Sequence, residues 1–237
     1  TAGYKRQRKK TNVVQVTLTQ IPTREILHFL GWHGTPVEPG LMETIKRFQE
    51  KALRKIEPRV VVREFELLPD GTLAHTHFLP LGKDVPAMLS DCRSAVLLAA
   101  TLGAESERML LREQSRSAAD ALILDAVLSA AVEAVCDEQE ERLRGEFAER
   151  SLFLTDRFSP GYGDMPIAQS REICEVLNTG RAIGLTVSQS GILMPRKSVT
   201  AVMGVSRTAV QLRKKGCEGC SARQTCAFAR YRKQMEE

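Results

Sequence analysis

The stretch Ser94-Ala95-Val96-Leu97-Leu98-Ala99-Ala100-Thr101-Leu102, which ends at Gly103, predicts a strand at the centre of a sheet. Its apolar residues are continuous rather than alternating, which is typical of a strand that is covered on both faces. The chain has 237 residues, of which 43% are apolar and 27% charged. Such a chain is globular and can bury a substantial core around this strand.

The chain before residue 80 has apolar spacing that predicts two helices and three further strands. The helices are expected over residues 23–30 and 39–55, and the strands over residues 13–18, 59–68 and 72–79. A Pro69-Asp70-Gly71 turn would join the last two strands as a hairpin. His75 and His77 then share one face of a strand, where we interpret them as exposed side chains rather than as metal ligands.

The chain after the central strand is mainly helical and then returns to strands. Helices are expected over residues 105–150, with a break near Ser115, and 167–178, and strands over residues 183–188 and 198–205. A short helix from Asp84 to about Cys92 precedes the central strand. Helices and paired strands are mixed without regular βαβ alternation, which predicts an α+β fold around a largely antiparallel sheet.

A second stretch, Arg157-Phe158-Ser159-Pro160-Gly161-Tyr162-Gly163-Asp164, has the composition of a shaped polar turn. Proline fixes φ at about −65° and glycine permits a positive φ. Arg157 offers a rigid fork of donors that suits a carboxylate, and Tyr162 offers a ring face and a hydroxyl. Asp164 is expected to cap the next helix, with Pro166 in its first turn. A structural turn, with Arg157 in a surface ion pair, is the alternative.

Glu133 lies on the alanine-rich part of the predicted long helix. Leu122, Ala126 and Ser129 precede it at helical spacing, which predicts that Glu133 belongs to the inward-facing stripe. An inward carboxylate needs a partner or a ligand. A buried ion pair, with Arg157 as a candidate partner, and contact with a bound ligand are the two alternatives.

The motif Arg-x-x-Pro-Gly-Tyr over residues 157–162 resembles the S-adenosylmethionine-binding segment of the activation domain of cobalamin-dependent methionine synthase. Residues 183–186 (Ile-Gly-Leu-Thr) and 194–199 (Met-Pro-Arg-Lys-Ser-Val) follow in the order that this family shows. The resemblance is clearest over about residues 85–205. It implies an α+β fold with a curved, largely antiparallel sheet flanked by helices.

The resemblance also implies a function, that of a separate activation subunit for a split methionine synthase. Glu133, Arg157, Ser159 and Tyr162 would bind S-adenosylmethionine, and the chain would dock on a partner that holds cobalamin. One electron, from a donor such as flavodoxin or ferredoxin, and one methyl group would convert cob(II)alamin to methylcobalamin. Because methyl transfer is a displacement, no catalytic acid or base is expected. A further aromatic residue, which the family places at the ligand after the equivalent of Ser198, has no counterpart here.

Cys217, Cys220 and Cys226 form a Cys-x-x-Cys-x5-Cys pattern near the end of the sequence. Three thiolates at this spacing can converge on a zinc ion or an iron–sulfur cluster. The fourth ligand would come from a cysteine elsewhere in the chain, a partner protein or an exogenous ligand. A metal site, a redox dithiol and unligated thiols are the alternatives. An iron–sulfur cluster would favour a reductive activator or scaffold for another corrinoid methyltransferase. A zinc ion would favour an interaction module that the metal stabilises.

The sequence divides into three parts: a basic N-terminus over residues 1–12 that we expect to be disordered, the α+β domain over residues 13–206, and the basic cysteine-containing tail over residues 207–237. The net charge of +5 lies largely at the two ends of the sequence. The basic residues there are not interleaved with aromatic ones, as is typical of nucleic-acid-binding proteins, so nucleic-acid binding is disfavoured. No apolar run approaches the roughly 20 residues that cross a bilayer. The six cysteines, several of them isolated, favour a reducing cytoplasmic location.

Overall fold

The computed structural model describes residues 12–32 and 36–210. The N-terminal segment before Asn12 and the three tail cysteines (Cys217, Cys220 and Cys226) lie outside the described residues, and the predictions on them stay predictions. In chain order, the helices and strands are β1 (Asn12–Gln15), α1 (Thr23–Phe29), α2 (Pro39–Lys55), β2 (Arg59–Glu66), α3 (Asp84–Leu89), β3 (Cys92–Thr101), α4 (Ala104–Gln114), α5 (Ala118–Ala148), β4 (Phe153–Leu154), α6 (Gln169–Leu177), α7 (Thr179–Ile183), β5 (Thr186–Val187), β6 (Leu193–Met194) and β7 (Ser198–Ser206).

Five of these strands form one sheet in the order β1-β2-β3-β7-β4, and every neighbouring pair is antiparallel. β3, the strand predicted from the continuous apolar run, lies at the centre between β2 and β7. β1 is displaced from the predicted residues 13–18, and β5 and β6 form a separate two-stranded ribbon. The curved antiparallel sheet with its flanking helices confirms the predicted α+β class.

The side chains of β3 build a hydrophobic core on each face of the sheet. Val96 and Leu98 belong to a core shared with α1, α2, α4 and α5. Leu97 and Ala99 belong to a second core shared with α3, α6 and α7. Burial on both faces explains why the strand sequence is continuously apolar. Helix α5 covers the first face.

The predicted hairpin forms only next to its turn, where Leu67 and Leu73 pair as an isolated antiparallel bridge and Ala74 N donates to Glu66 O (2.9 Å), and the rest of the predicted strand over residues 72–79 is wrong. This segment forms turns closed by backbone bonds from Leu73 N to Phe78 O (3.0 Å) and from Thr76 N to Leu73 O (3.1 Å). Leu73 and Phe78 are both buried, because local turns place them in the core. Their apolar spacing therefore resembles that of a strand although the segment forms turns. His75 has a φ of 63° and does not share a strand face with His77. The regular strand pairing of β2 is with β1 and β3.

The helical segment after the central strand breaks where predicted. Ser117 accepts a hydrogen bond from Asp120 N (3.2 Å) and caps the start of α5. α6 begins two residues later than predicted. The predicted strand over residues 183–188 is shortened to β5, because the short helix α7 ends at Ile183. Asn178, in the left-handed region, turns the chain between these two helices. None of the helices in the described ranges has the length and apolarity to cross a membrane.

Candidate ligand site

Arg157 follows strand β4 and lies against one face of α5. Its Nη2 donates hydrogen bonds to Glu133 Oε2 (3.2 Å) and Asp137 Oδ1 (2.9 Å), and its Nε lies 3.4 Å from Glu140 Oε2. The three carboxylates occupy successive turns of one helix face. These four residues form what we call the Arg157 cluster, which brings together two predicted site residues, Arg157 and Glu133. Sequence reasoning missed Asp137 and Glu140, although their helical spacing from Glu133 was a signal that would have found them.

The other terminal nitrogen of Arg157, Nη1, is buried and has no hydrogen-bond partner within the described residues. The side chain as a whole is 14% exposed. Nε2 of Gln139 is likewise buried without a hydrogen-bond partner within the described residues. A buried donor without a partner costs about 1–3 kcal/mol, and more when it is charged, so folded proteins leave few of them. Nη1 of Arg157 is therefore a buried donor that the described part of the chain leaves unsatisfied.

The electrostatic surroundings keep Arg157 charged. Burial lowers the pKa of its guanidinium, whereas Cys136 and the carboxylates of the Arg157 cluster raise it, and the net change is upward. Arg157 is thus a fixed cation at physiological pH. A fixed cation with free N–H donors suits an anionic group such as a carboxylate.

Glu140 connects the Arg157 cluster to a second arginine. Its Oε1 accepts a hydrogen bond from Arg144 Nη2 at 2.6 Å. Arg144 also donates to the carbonyl oxygens of Leu154 and Thr155 and to Asp156 Oδ1. Arg144 therefore ties the end of β4 to α5 and fixes the backbone from which Arg157 projects.

The turn after Arg157 is anchored on the sheet by Phe158. This residue is buried and exchanges two backbone hydrogen bonds with Val202 of β7, at 2.9 and 2.8 Å. The turn then closes through a bond from Tyr162 N to Ser159 O (3.1 Å). Ser159 is half-buried and Tyr162 is 69% exposed. The turn thus presents the Tyr162 ring at the surface from a backbone that is fixed to the sheet.

Asp164 caps a different helix from the one predicted. Its carboxylate accepts hydrogen bonds from the backbone N–H groups of Lys83 (2.6 Å) and Asp84 (3.2 Å), at the start of α3. These bonds hold the pKa of Asp164 below its ordinary value. Gly82 has a φ of 89° and no room for a side chain beside Asp164. The turn is therefore joined to a loop about 80 residues earlier, which local sequence spacing could not show.

Glu133 is less buried than its helical phase predicted. Its side chain is 43% exposed, and Leu122, assigned to the same inward stripe, is 65% exposed. The inward placement of Glu133 was therefore wrong, because the buried face of α5 is the one that carries Leu128 and Val135. The ion pair with Arg157, one of the two alternatives, is what the structure contains.

Residues 194–199, the last of the three segments that carry the resemblance, contact α5 nearer its start. Lys197 Nζ lies 2.8 Å from Asp125 Oδ1 and donates to Ser129 Oγ at 2.8 Å. Ser129 lies one helical turn before Glu133, the first carboxylate of the Arg157 cluster. Arg157 of the first segment and Lys197 of the last, which are distant in sequence, therefore contact one face of the same helix.

A cleft of about 290 Å³ lies beside this region. Its wall includes Asp156, which binds Arg144, and Cys92 at the start of β3. Burial, together with the nearby Asp91, raises the pKa of Cys92 to about 11, so this side chain is a thiol at neutral pH. Within residues 12–32 and 36–210, no three His, Cys, Asp or Glu side chains are grouped as metal ligands.

Comparisons with known proteins establish the architecture. No protein-family model and no curated protein matches the chain. The crystal structure of the MetH reactivation domain bound to AdoHcy matches it with a TM-score of 0.62, over 97% of this chain and 90% of that one. The fold is that of the MetH reactivation domain. At 15% identity the likeness concerns the fold, and it confirms the fold that the sequence motifs implied.

Proposed function

We propose that this protein binds S-adenosylmethionine and acts as the activation subunit of a split cobalamin-dependent methionine synthase. Its fold is that of a reactivation domain whose solved structure holds AdoHcy, the demethylated form of S-adenosylmethionine. The protein would dock on a separate chain that holds cobalamin. One electron and the ligand's methyl group would then restore methylcobalamin from cob(II)alamin and leave AdoHcy.

The unpartnered Nη1 of Arg157 is the observation that carries this proposal. The methionine part of S-adenosylmethionine bears a carboxylate, and a carboxylate at Nη1 would complete the hydrogen bonding of the guanidinium. A hydrogen bond between charged groups contributes about 1.5–3 kcal/mol. That energy corresponds to roughly tenfold to hundredfold in affinity.

The other groups of the Arg157 region suit the rest of the same ligand. Glu133 and Asp137 are 43% and 50% exposed, so both are accessible to a ligand while they pair with Arg157. They would attract the ammonium and the sulfonium of S-adenosylmethionine. The backbone around Ser159 would bond the adenine or ribose, and Tyr162 would offer its ring face.

The protein would contribute position rather than acid–base chemistry to the reaction. In the methyl transfer, the sulfur of the sulfonium leaves with the bonding electron pair as the new cobalt–carbon bond forms, so no proton moves. A donor such as flavodoxin or ferredoxin would supply the electron. β7 contains no aromatic residue, which leaves the exposed Tyr162 as the ring that would face a docked corrin.

Isothermal titration of S-adenosylmethionine into the wild type and the Arg157→Ala variant tests the binding proposal. Arg108→Ala is a matched control, because Arg108 is 63% exposed and pairs with Glu105 on α4. We expect micromolar binding to the wild type and the control, and binding at least about tenfold weaker to Arg157→Ala. Equal affinity in all three proteins, or no binding to the wild type, would contradict the proposal.

Docking is tested separately with a cobalamin-loaded methionine synthase that lacks an activation domain. With S-adenosylmethionine and a reductant present, the cob(II)alamin spectrum should convert to that of methylcobalamin when this chain is added. Conversion at the same rate without the chain would refute the subunit role. S-adenosylmethionine binding without conversion would instead favour a role with another corrinoid methyltransferase.

A further inference from the structure

Lys197 forms a second polar cluster on the face of α5 that carries the Arg157 cluster. Its Nζ lies 2.8 Å from Asp125 Oδ1 and donates a hydrogen bond to Ser129 Oγ at 2.8 Å. Ser129 Oγ in turn donates to the carbonyl oxygen of Asp125 at 2.9 Å. We call these three residues the Lys197 cluster, and the ligand contacts proposed for the Arg157 cluster do not use it.

The backbone that carries Lys197 is held from two sides. Its carbonyl oxygen accepts a hydrogen bond from Leu102 N, just after β3, at 3.0 Å. The N–H of the preceding residue, Arg196, donates to Glu107 Oε1 of α4 at 2.6 Å, and the Arg196 guanidinium pairs with the same carboxylate at 3.2 Å. The other members of the cluster lie on α5. Anchored backbone of this kind gives a binding site the precise geometry that it needs.

The two charged groups of the Lys197 cluster differ in exposure. The side chain of Lys197 is 15% exposed and that of Asp125 is 44% exposed. An ammonium has three N–H donors, so Lys197 can hold both of its partners and still donate to a ligand. A carboxylate has about four acceptor positions, so Asp125 can accept further hydrogen bonds from the solvent side. The cluster therefore offers an acceptor and a donor side by side.

A pair of neighbouring hydroxyls is complementary to such an arrangement. Each hydroxyl donates one hydrogen bond and can accept others. A carboxylate binds a ribose hydroxyl in this way in dinucleotide-binding folds. S-adenosylmethionine carries two neighbouring hydroxyls, at the 2′ and 3′ positions of its ribose.

The spacing along α5 allows one ligand to reach both clusters. At 1.5 Å per residue, Ser129 and Asp125 lie about 6 and 12 Å before Glu133 along the helix axis. The methionine chain and the sulfur of S-adenosylmethionine separate its carboxylate from its ribose by a distance of the same order. A ligand whose carboxylate is bound by Arg157 can therefore place its ribose at the Lys197 cluster.

We propose that Asp125 and Lys197 bind the ribose 2′- and 3′-hydroxyls of S-adenosylmethionine. Asp125 accepts hydrogen bonds from the two hydroxyls, Lys197 donates to one of them, and Ser129 keeps the ammonium in place. This inference rests on the proposed function, and it leaves the adenine to the backbone around Ser159. Asp125 and Lys197 thereby determine specificity for the intact ribose.

The test compares S-adenosylmethionine with its 2′-deoxy and 3′-deoxy analogues by titration calorimetry of the full chain. The three ligands have the same charge, so differences in affinity report the hydroxyls and not general electrostatic attraction. Because each missing hydroxyl removes a hydrogen bond to a charged group, we expect the wild type to bind each analogue roughly tenfold more weakly. A wild type that binds the three ligands equally would overturn the assignment without any variant.

Asp125→Ala identifies the partner of the hydroxyls. In this variant the affinity ratio between S-adenosylmethionine and each analogue should shrink to less than about twofold, because the ligand and protein changes remove one shared interaction. Asp120→Ala is the matched control, since Asp120 lies on the same helix and pairs with Arg47 of α2. The control should keep the wild-type ratios. Wild-type ratios in Asp125→Ala as well would overturn the assignment.

Lys197→Met is a second variant in case Asp125→Ala fails to fold. It removes the donor, while the carboxylate of Asp125, at 44% exposed, stays hydrated. The affinity ratio for at least one analogue should fall severalfold. Unchanged ratios for both analogues would overturn the assignment.

Arg157→Ala separates this inference from the proposed function. It should weaken the binding of all three ligands alike and keep their ratios, because different residues bind the carboxylate and the hydroxyls. If binding depends on Arg157 but Asp125→Ala leaves the ratios unchanged, the ribose assignment alone fails. If the wild type does not bind S-adenosylmethionine, the assignment and the proposed function both fail.

Discussion

Two arginines meet at Glu140 and differ in how their donors are used. Arg144 bonds through both terminal nitrogens, to the end of β4, Asp156 and Glu140. Arg157 is more buried, at 14% against 27% exposed, yet its Nη1 has no partner among the described residues. Arg144 therefore has both terminal nitrogens committed to the fold, whereas Arg157 keeps a buried donor that, under the proposed function, would bind the ligand.

Removal of Arg144 should give the largest effect on stability. Arg144→Ala removes the guanidinium that lies 2.6 Å from the Glu140 carboxylate, whose side chain is 8% exposed. It also removes the donor that binds the carbonyl oxygen at the end of β4. Breaking a buried charge pair costs about 3–5 kcal/mol. Since Arg144 is partly exposed, we expect the free energy of unfolding, measured with urea, to fall by about 3 kcal/mol. A fall below about 1 kcal/mol would mean that Arg144 does not hold β4 on α5.

Arg157→Lys should affect binding more than stability. Lysine keeps the positive charge beside the half-exposed Glu133 and Asp137 but lacks the planar fork. We expect affinity for S-adenosylmethionine to fall by roughly tenfold, while the free energy of unfolding changes by less than about 1 kcal/mol. Titration calorimetry and urea unfolding separate the two effects. A large loss of stability with unchanged affinity would make Arg157 a structural residue like Arg144.

The central part of the fold could be predicted because its burial leaves a local signature. Residues 95–100 are apolar on both strand faces, and Ser115 marks the break between α4 and α5. The hairpin over residues 72–79 could not be predicted correctly, since Leu73 and Phe78 have strand-like spacing but are buried by tight turns. The spacing of apolar residues indicates which side chains are buried, and it does not by itself indicate that the segment pairs with another strand.

The candidate site was predictable in its residue types and less so in its contacts. The resemblance of the turn pointed to Arg157 and Tyr162, whose ligand roles stay predictions, and helical spacing from Glu133 would have pointed to Glu140, which the structure places beside Arg157. The bonds from Asp164 to the start of α3 connect residues about 80 positions apart, so no local pattern encodes them. The unpartnered Nη1 of Arg157 depends on the packing of several elements and needs the structure.

Asp164→Asn tests whether the α3 cap holds the turn that carries Tyr162. Backbone bonds from Lys83 and Asp84 lower the pKa of Asp164. The ionised form therefore adds stability that is fully present above the unfolded pKa of about 4 and is lost as pH falls through the lower folded-state pKa. Wild-type stability should exceed that of Asp164→Asn near neutral pH, and the difference should shrink below about pH 4. Parallel pH profiles in urea unfolding would contradict this role.

Glu133→Gln should give the smallest effect. The Glu133 side chain is 43% exposed, and glutamine retains an acceptor for Arg157, so the free energy of unfolding should change by less than about 0.5 kcal/mol. Affinity for S-adenosylmethionine should fall a few-fold, because one carboxylate near the positive ligand groups is neutralised. Glu138→Gln, on the exposed side of the same helix, is the matched control. Equal affinities in the two variants would exclude Glu133 from the ligand site.

The most direct test compares S-adenosylmethionine with its decarboxylated analogue, in the wild type and in Arg157→Ala. If Nη1 of Arg157 binds the ligand carboxylate, loss of that carboxylate should weaken binding to the wild type by roughly tenfold to hundredfold. The same loss should have little effect on Arg157→Ala, because the two changes remove one shared interaction. An equal loss of affinity in both proteins would show that Arg157 does not contact the carboxylate and would contradict the proposed site.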